Sequence, residues 1–184
     1  MRNSPDQAIL ERAKRFEPQA LEEIYDSFSP GIYRYAYRLL GDTELARECM
    51  SETFSRFLVA LKRESGPENY LQAYLYRIAH NWITDYYRKK VPPTLPLDVE
   101  IRAKPEEEPH QVVADQMDNQ QLREALSLLT PDQRQVIILK YLEDWENESI
   151  ALTLNKPVSA IKALQHRALE ALRRIMSRYE DMNV

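Results

Sequence analysis

The stretch from Glu148 to Arg178 constrains this chain more than any other. Ile150, Ala151 and Leu154 give a short helix one apolar side. Asn155 follows, a residue whose short polar side chain tolerates a left-handed backbone. Pro157 suits the first turn of a new helix, where its missing N–H has no intrahelical partner to lose. Ile161, Leu164, Ala168 and Leu172 then recur at three- and four-residue steps, so a long second helix buries one stripe against the first. Lys162, Gln165, His166 and Arg167 fall largely off that stripe. Short helix, tight turn and long helix with a basic outer face form the helix-turn-helix pattern, whose second helix enters a DNA major groove. A plain helical hairpin with a solvated basic face is the other reading of the same residues.

The rest of the chain also favours helices. Three Gly stand against eleven Pro, and the β-branched residues never alternate with polar ones for long. At 184 residues there is room for one compact domain or two small ones. No apolar run is long enough to span a membrane, which predicts no membrane insertion. The charged amino terminus lacks the apolar core of a signal peptide, so a cytoplasmic location is expected. Cys49 is the single cysteine, which excludes an intrachain disulfide and a cysteine-built metal site.

In order, helices are expected from Pro5 to Phe16, from Pro18 to Phe28, and from Ile32 to a stop at Gly41, with a break at Ser29-Pro30-Gly31. Asp42 is placed to cap a long helix carrying Leu45, Cys49, Phe54, Phe57, Leu58 and Leu61 and stopping around Ser65-Gly66. After Pro67 a further helix carries Tyr70, Leu71, Tyr74, Leu75, Ile78, Ala79, Trp82 and Ile83, then runs into DYYRKK. Composition breaks at Val91, where five prolines fall within twenty residues. Helices resume near Gln116. Thr130-Pro131-Asp132-Gln133 carries a Thr cap, Pro at the first helical position and Gln for a capping box. Trp145 reads as a core anchor. The fold class expected is all-α, with two small helical domains at 1–90 and 116–184 and a flexible acidic, proline-rich linker at 91–115.

Net charge is −4, yet the charge is segregated. Val91 to Gln120 holds seven acids against two bases, a net −5. Val158 to Arg178 carries +4, and Tyr70 to Lys90 carries +3. Phosphates respond to the local field within a Debye length of about 10 Å, so an acidic protein with two basic patches still meets DNA. The acidic total predicts weak DNA affinity for the chain alone.

Two further surfaces stand out. Between Leu75 and Lys90, the aromatics Trp82, Tyr86 and Tyr87 interleave with Arg77, His80, Arg88 and Lys89, the combination that stacks unpaired bases and neutralises their backbone. A tyrosine-rich helix that packs its core and ends in bases reads the same way. Between Ala46 and Phe54, Glu48, Ser51 and Glu52 cluster on one helical side beside Phe54, suited to a basic partner helix or simply to water. Catalysis finds no support. The acids lack a companion nucleophile, and His80, His110 and His166 lack metal-ligand spacing. Three glycines at 31, 41 and 66 cannot form a phosphate loop. No enzyme activity, cofactor or metal is expected.

Together these pieces resemble a bacterial sigma-70-type initiation factor of the extracytoplasmic-function (ECF) group, over about Ala20 to Lys90 and Leu122 to Arg174. The first core motif resembles LEEIYDSFSPGIYRYAYRLLGDTELARECMSETFSRF. The promoter-melting and −10 segment resembles YLQAYLYRIAHNWITDYYRKK. The −35-reading domain resembles LTPDQRQVIILKYLEDWENESIALTLNKPVSAIKALQHRALEAL. Two such pieces in this order, separated by an acidic proline-rich linker, make a specific signature.

The resemblance implies roles for matching positions. Glu48, Ser51, Glu52, Thr53 and Phe54 correspond to the surface that docks on the clamp helices of the polymerase β′ subunit, with Glu48 where the family usually has Asp and Ser51 where it often has Gln. Tyr74 replaces a Trp. Arg77, His80, Asn81, Trp82, Asp85, Tyr86, Arg88 and Lys89 fall on the −10 side. Lys162, Gln165, His166 and Arg167 fall on the −35 side, with Gln165 a possible base reader. Asn155 stands for the family's Gly at the turn, Ala160-Ile161-Lys162-Ala163 for Thr-Val-Lys-Ser, and Leu164 for Arg. The implied partners are core RNA polymerase (β′ clamp helices and β flap), promoter DNA and an anti-sigma factor. Two other readings compete: a stand-alone helix-turn-helix regulator, and a sigma-like adaptor that no longer reads DNA.

Overall fold

The computed structural model describes residues 5–90, 122 and 124–182. Every regular element among them is helical, and they divide into two compact units. The expected linker at 91–115 and the helical onset near Gln116 lie outside the described residues.

The first unit contains α1 (Pro5–Lys14), α2 (Pro18–Leu40), α3 (Thr43–Lys62) and α4 (Leu71–Lys90). Helices α2, α3 and α4 pack on one another, and α1 lies against all three. Their shared core holds Leu10, Ile24, Ile32, Tyr35, Phe57, Leu71, Leu75 and Ile83. The Tyr35 and Tyr76 rings meet at 5.3 Å with a 55° tilt, a favourable geometry for aromatic quadrupoles.

Helix α2 corrects the expected break at Ser29-Pro30-Gly31. It runs unbroken through Pro30, because Ala20, Ile24, Ser29, Ile32, Tyr35, Ala36 and Leu39 form one continuous buried stripe on both sides of it. Proline inside a helix costs about 3 kcal/mol through the lost hydrogen bond and a ring clash. That stripe offsets the cost, and both Pro30 and Asp26 are exposed, so the freed backbone group meets water. Gly31 has a packing reason instead. A Cβ built there would lie 2.5 Å from the Tyr76 hydroxyl, so α2 and α4 approach only because that position is bare.

Gly41 closes α2 at φ 68°, its N–H donating to the Tyr37 carbonyl at 2.8 Å. Asp42 caps α3 as expected, its Oδ1 accepting from the Leu45 N–H at 2.9 Å. With so few glycines, other turns use residues that ordinarily avoid a left-handed backbone. Phe16 and Glu64 sit at φ 56° and 54°. The residue after each donates back five positions, Glu17 to Arg12 and Ser65 to Ala60, which satisfies carbonyls that a helix end leaves unpaired. Helices α1 and α3 therefore stop at Lys14 and Lys62, a little before the expected ends.

The described carboxy-terminal residues form a helical stretch at 124–127, α5 (Pro131–Ile137), a π-helical turn (Ile138–Leu142), α6 (Asn147–Leu154) and α7 (Val158–Met182), most of them in the second unit. The capping box at Thr130 forms in both directions, with Gln133 N–H to Thr130 Oγ1 at 3.4 Å and Thr130 N–H to Gln133 Oε1 at 3.2 Å. Arg134 reaches back to the carbonyls of Leu126 (2.7 Å), Ser127 (2.8 Å) and Leu129 (3.3 Å), closing the preceding helical stretch. Trp145 is buried, as its anchor reading requires, and Lys140 Nζ donates to its carbonyl at 3.1 Å. Asn155 takes the left-handed corner at φ 52°, and Lys156 N–H bonds the Ala151 carbonyl at 3.0 Å. Pro157 lies one place before α7, its carbonyl accepting from Ala160 (2.9 Å) and Ile161 (3.2 Å).

Gly31→Ala separates propensity from packing. Alanine favours a helix by about 1 kcal/mol over glycine. The collision with Tyr76 should nonetheless make the variant less stable by about 1–3 kcal/mol in urea denaturation, with part of the loss recovered by Tyr76→Phe. A Gly31→Ala chain more stable than the parent would contradict this packing.

Candidate nucleic-acid interface

On α7 the apolar stripe decides where the charges go. Ile161, Leu164 and Ala168 are buried, with Leu172 half-buried beside them. At about 100° per residue this leaves Lys162, His166 and Arg173 along one outer edge and Arg167 and Arg174 along the other. All five are exposed, with Glu170 between them. Arg167 and Arg174 each donate Nε to a carbonyl one turn back, of Ala163 (3.3 Å) and Glu170 (3.4 Å). His166 Nδ1 lies 3.7 Å from a Glu170 oxygen. Gln165 differs from these four cations and His166. It is half-buried, and its amide donates to Asn147 Oδ1 at 2.5 Å.

On α4 the sequence-predicted residues spread over three faces. Asn81 and Arg88 are exposed on the side away from the core, near half-buried Arg77 and Asp85. Arg88 pairs with Asp85 at 2.8 Å. Trp82 and Tyr86, four residues apart, stack at 5.7 Å and 8°, both half-buried, with exposed Lys89 on the next turn. His80 lies on the opposite flank and is half-buried. Tyr87, at the same flank, donates its hydroxyl to the Leu39 carbonyl at 2.5 Å and so belongs to the scaffold. Partial burial raises the Tyr74 phenol above its ordinary value, with Arg77 opposing.

Helix α3 divides its predicted residues between surface and core. Glu48 and Ser51 are exposed, and half-buried Glu52 pairs with Arg56 at 2.7 Å. Thr53 is fully buried, its hydroxyl donating to the Cys49 carbonyl at 2.7 Å. Phe54 is buried and meets the half-exposed Tyr25 ring at 4.8 Å. Thr53 and Phe54 therefore support the acidic surface from beneath. Exposed Leu58 and Val59 extend that surface along α3. The sequence reading groups Leu58 with the apolar residues of the helix and omits Val59, although the four-residue step of Cys49, Thr53, Phe57 and Leu61 places both outside.

Comparison with known proteins identifies both units. The model of Sigma-70 region 2 matches residues 24–91, and that of Sigma-70 region 4 matches 119–172. The ECF RNA polymerase sigma factor SigW of Bacillus subtilis is 32% identical over 178 residues, covering 90% of this chain and 93% of SigW. The chain belongs to the ECF group of sigma-70 family sigma factors. The ECF RNA polymerase sigma factor BldN of Streptomyces coelicolor is 30% identical over 91% of this chain, which spans 64% of that longer protein. Among solved structures, CnrH in complex with the cytosolic domain of CnrY has a TM-score of 0.75 at 18% identity, covering 95% of this chain and 99% of that one. The sigma factor RpoE of Bartonella quintana, with the anti-sigma factor NepR, has a TM-score of 0.65 at 20% identity, covering 85% and 96%. At these identities the likeness is one of fold. Region 2 at the amino-terminal helices replaces the ligand-sensing or dimerising domain that a stand-alone regulator would carry there.

Cys49, the one thiol, is buried in the first unit. Burial pushes the Cys49 thiol from its ordinary 9.0 up to about 12, with Thr53 hydrogen bonding in opposition. A proton held more tightly in the folded state stabilises the fold fully below the unfolded value, and that contribution falls as pH rises from about 9 towards 12. Native Cys49 should therefore resist a thiolate-specific alkylating agent at pH 8 and react within minutes in urea. Rapid labelling of the folded chain would show that the site opens.

Proposed function

We propose that this chain directs core RNA polymerase to specific promoters, setting region 4 at the −35 element and region 2 at the −10 element. The observation that carries the reading is the pair of matched regions in order, each presenting cationic side chains away from its own core. Lys162, His166 and Arg167, with Arg173 and Arg174, serve the −35 duplex. Most of their affinity comes from phosphate neutralisation and counterion release, which is independent of sequence. On α4, Asn81, Arg88 and Lys89 follow the backbone near −10, and the stacked Trp82–Tyr86 pair offers an aromatic edge to an unpaired base. Arg77, His80 and Asp85 complete that side.

Glu48, Ser51 and Glu52, underpinned by Thr53 and Phe54, form the docking surface for the β′ clamp helices, and the second unit meets the β flap. The acidic total of −4 suits a subunit that gains DNA affinity inside such an assembly. An anti-sigma factor is the regulatory partner, a reading supported by the solved relatives, one bound to the anti-sigma factor NepR. A cytoplasmic location accords with action on promoters; no described helix is long and apolar enough to cross a membrane. We take the domain limits as 1–90 and 116–184, with the linker at 91–115, a division that the matched regions at 24–91 and 119–172 support.

Reversing both charges in Lys162→Glu/Arg167→Glu tests the DNA role against the adaptor reading. Promoter binding by the assembly with core polymerase should fall at least about tenfold near 0.1 M salt, and the logarithmic salt slope should flatten by about two. Co-purification with core polymerase should persist. Unchanged promoter binding would favour the adaptor.

A further inference from the structure

We infer that Gln165 is a positioning residue, latched to Asn147, which holds α7 at the pitch where Lys162 and His166 meet the −35 duplex. This rests on α7 being the DNA-reading helix. The Gln165 amide donates to Asn147 Oδ1 at 2.5 Å, eighteen residues back in the chain. Asn147 is the first residue of α6, so the bond spans the two helices of the helix-turn-helix. Both side chains are half-buried, where water competes only in part.

The position on α7 explains why one bond matters. Gln165 borders the buried stripe, four residues after Ile161 and three before Ala168. It also lies three residues after Lys162 and immediately before His166. Apolar burial fixes which side of α7 faces inward, but it is non-directional and tolerates a small slide or tilt. A hydrogen bond is directional and loses strength over a few tenths of an ångström, so it fixes what the stripe leaves loose. The cations on the same turn then inherit that placement.

Base reading by Gln165 is restricted by this geometry. A bidentate contact to adenine uses one amide hydrogen and the amide oxygen together. The other hydrogen is committed to Asn147, so such a contact would have to be made in the orientation the latch imposes.

The two roles separate in promoter-directed transcription by the full chain with core polymerase across a library of −35 sequences. Asn147→Ala and Gln165→Ala should each lower activity about 3–10-fold on all sequences in parallel. The double variant should be no worse than either single. The exchange Asn147→Gln/Gln165→Asn, which keeps the combined side-chain length, should recover most of the activity. Loss of preference at one base pair in Gln165→Ala, with Asn147→Ala unaffected, would overturn the inference in favour of base reading. Nuclear magnetic resonance of the free full chain supplies a readout that needs no polymerase: Asn147→Ala should shift the Gln165 side-chain amide protons and speed their exchange with water. Unmoved resonances would overturn the latch even where the sigma-factor reading holds. A parent chain that fails to direct polymerase, with the resonances responding as expected, would instead contradict the functional reading.

Discussion

Burial of Ile161, Leu164 and Ala168 is the constraint on which the second unit depends. Three side chains at helical spacing fix the rotation of α7, and that rotation decides which residues can reach DNA. Lys162, His166 and Arg167 are exposed because the stripe is elsewhere. A polar substitution in the stripe would therefore cost function through orientation, before any contact with nucleic acid is lost. The same logic holds on α3, where Cys49, Thr53 and Phe57 turn inward and leave Glu48 and Ser51 to the surface.

The two units solve one electrostatic problem. A protein of net charge −4 must approach a polyanion, and it does so by segregating charge instead of raising the total. Cationic side chains on α4 and α7 create local fields, while the exposed acids Glu44 and Glu48 lie on α3. In the proposed assembly with polymerase, several modest surfaces would act together, each raising the effective concentration of the others.

Much of this was legible in the sequence where a local rule applies. Gly41, Asp42, Asn155 and the Thr130–Gln133 box each act through their own backbone and a residue within a turn, and each stands where the sequence placed it. The outward set on α7 followed from periodicity alone. The misreadings have long-range causes. Pro30 looked like a break because its cost is local, whereas the stripe that carries α2 through it extends over the whole helix. Phe16, Glu64 and Asp144 adopt positive φ although their side chains disfavour it, at helix ends where the next N–H donates back to Arg12, Ala60 and Leu139. The bond between Gln165 and Asn147 joins residues eighteen apart, beyond any spacing rule.

Two helical units, one matched to region 2 and one to region 4, are proposed to address polymerase to promoters jointly. Run-off transcription on a genomic fragment library, with core polymerase alone, the chain alone and both together, tests it most directly. The account predicts discrete new transcripts only from the combination. Start sites identical to those of core polymerase alone, or sequence-specific protection of DNA by the chain without polymerase, would contradict it.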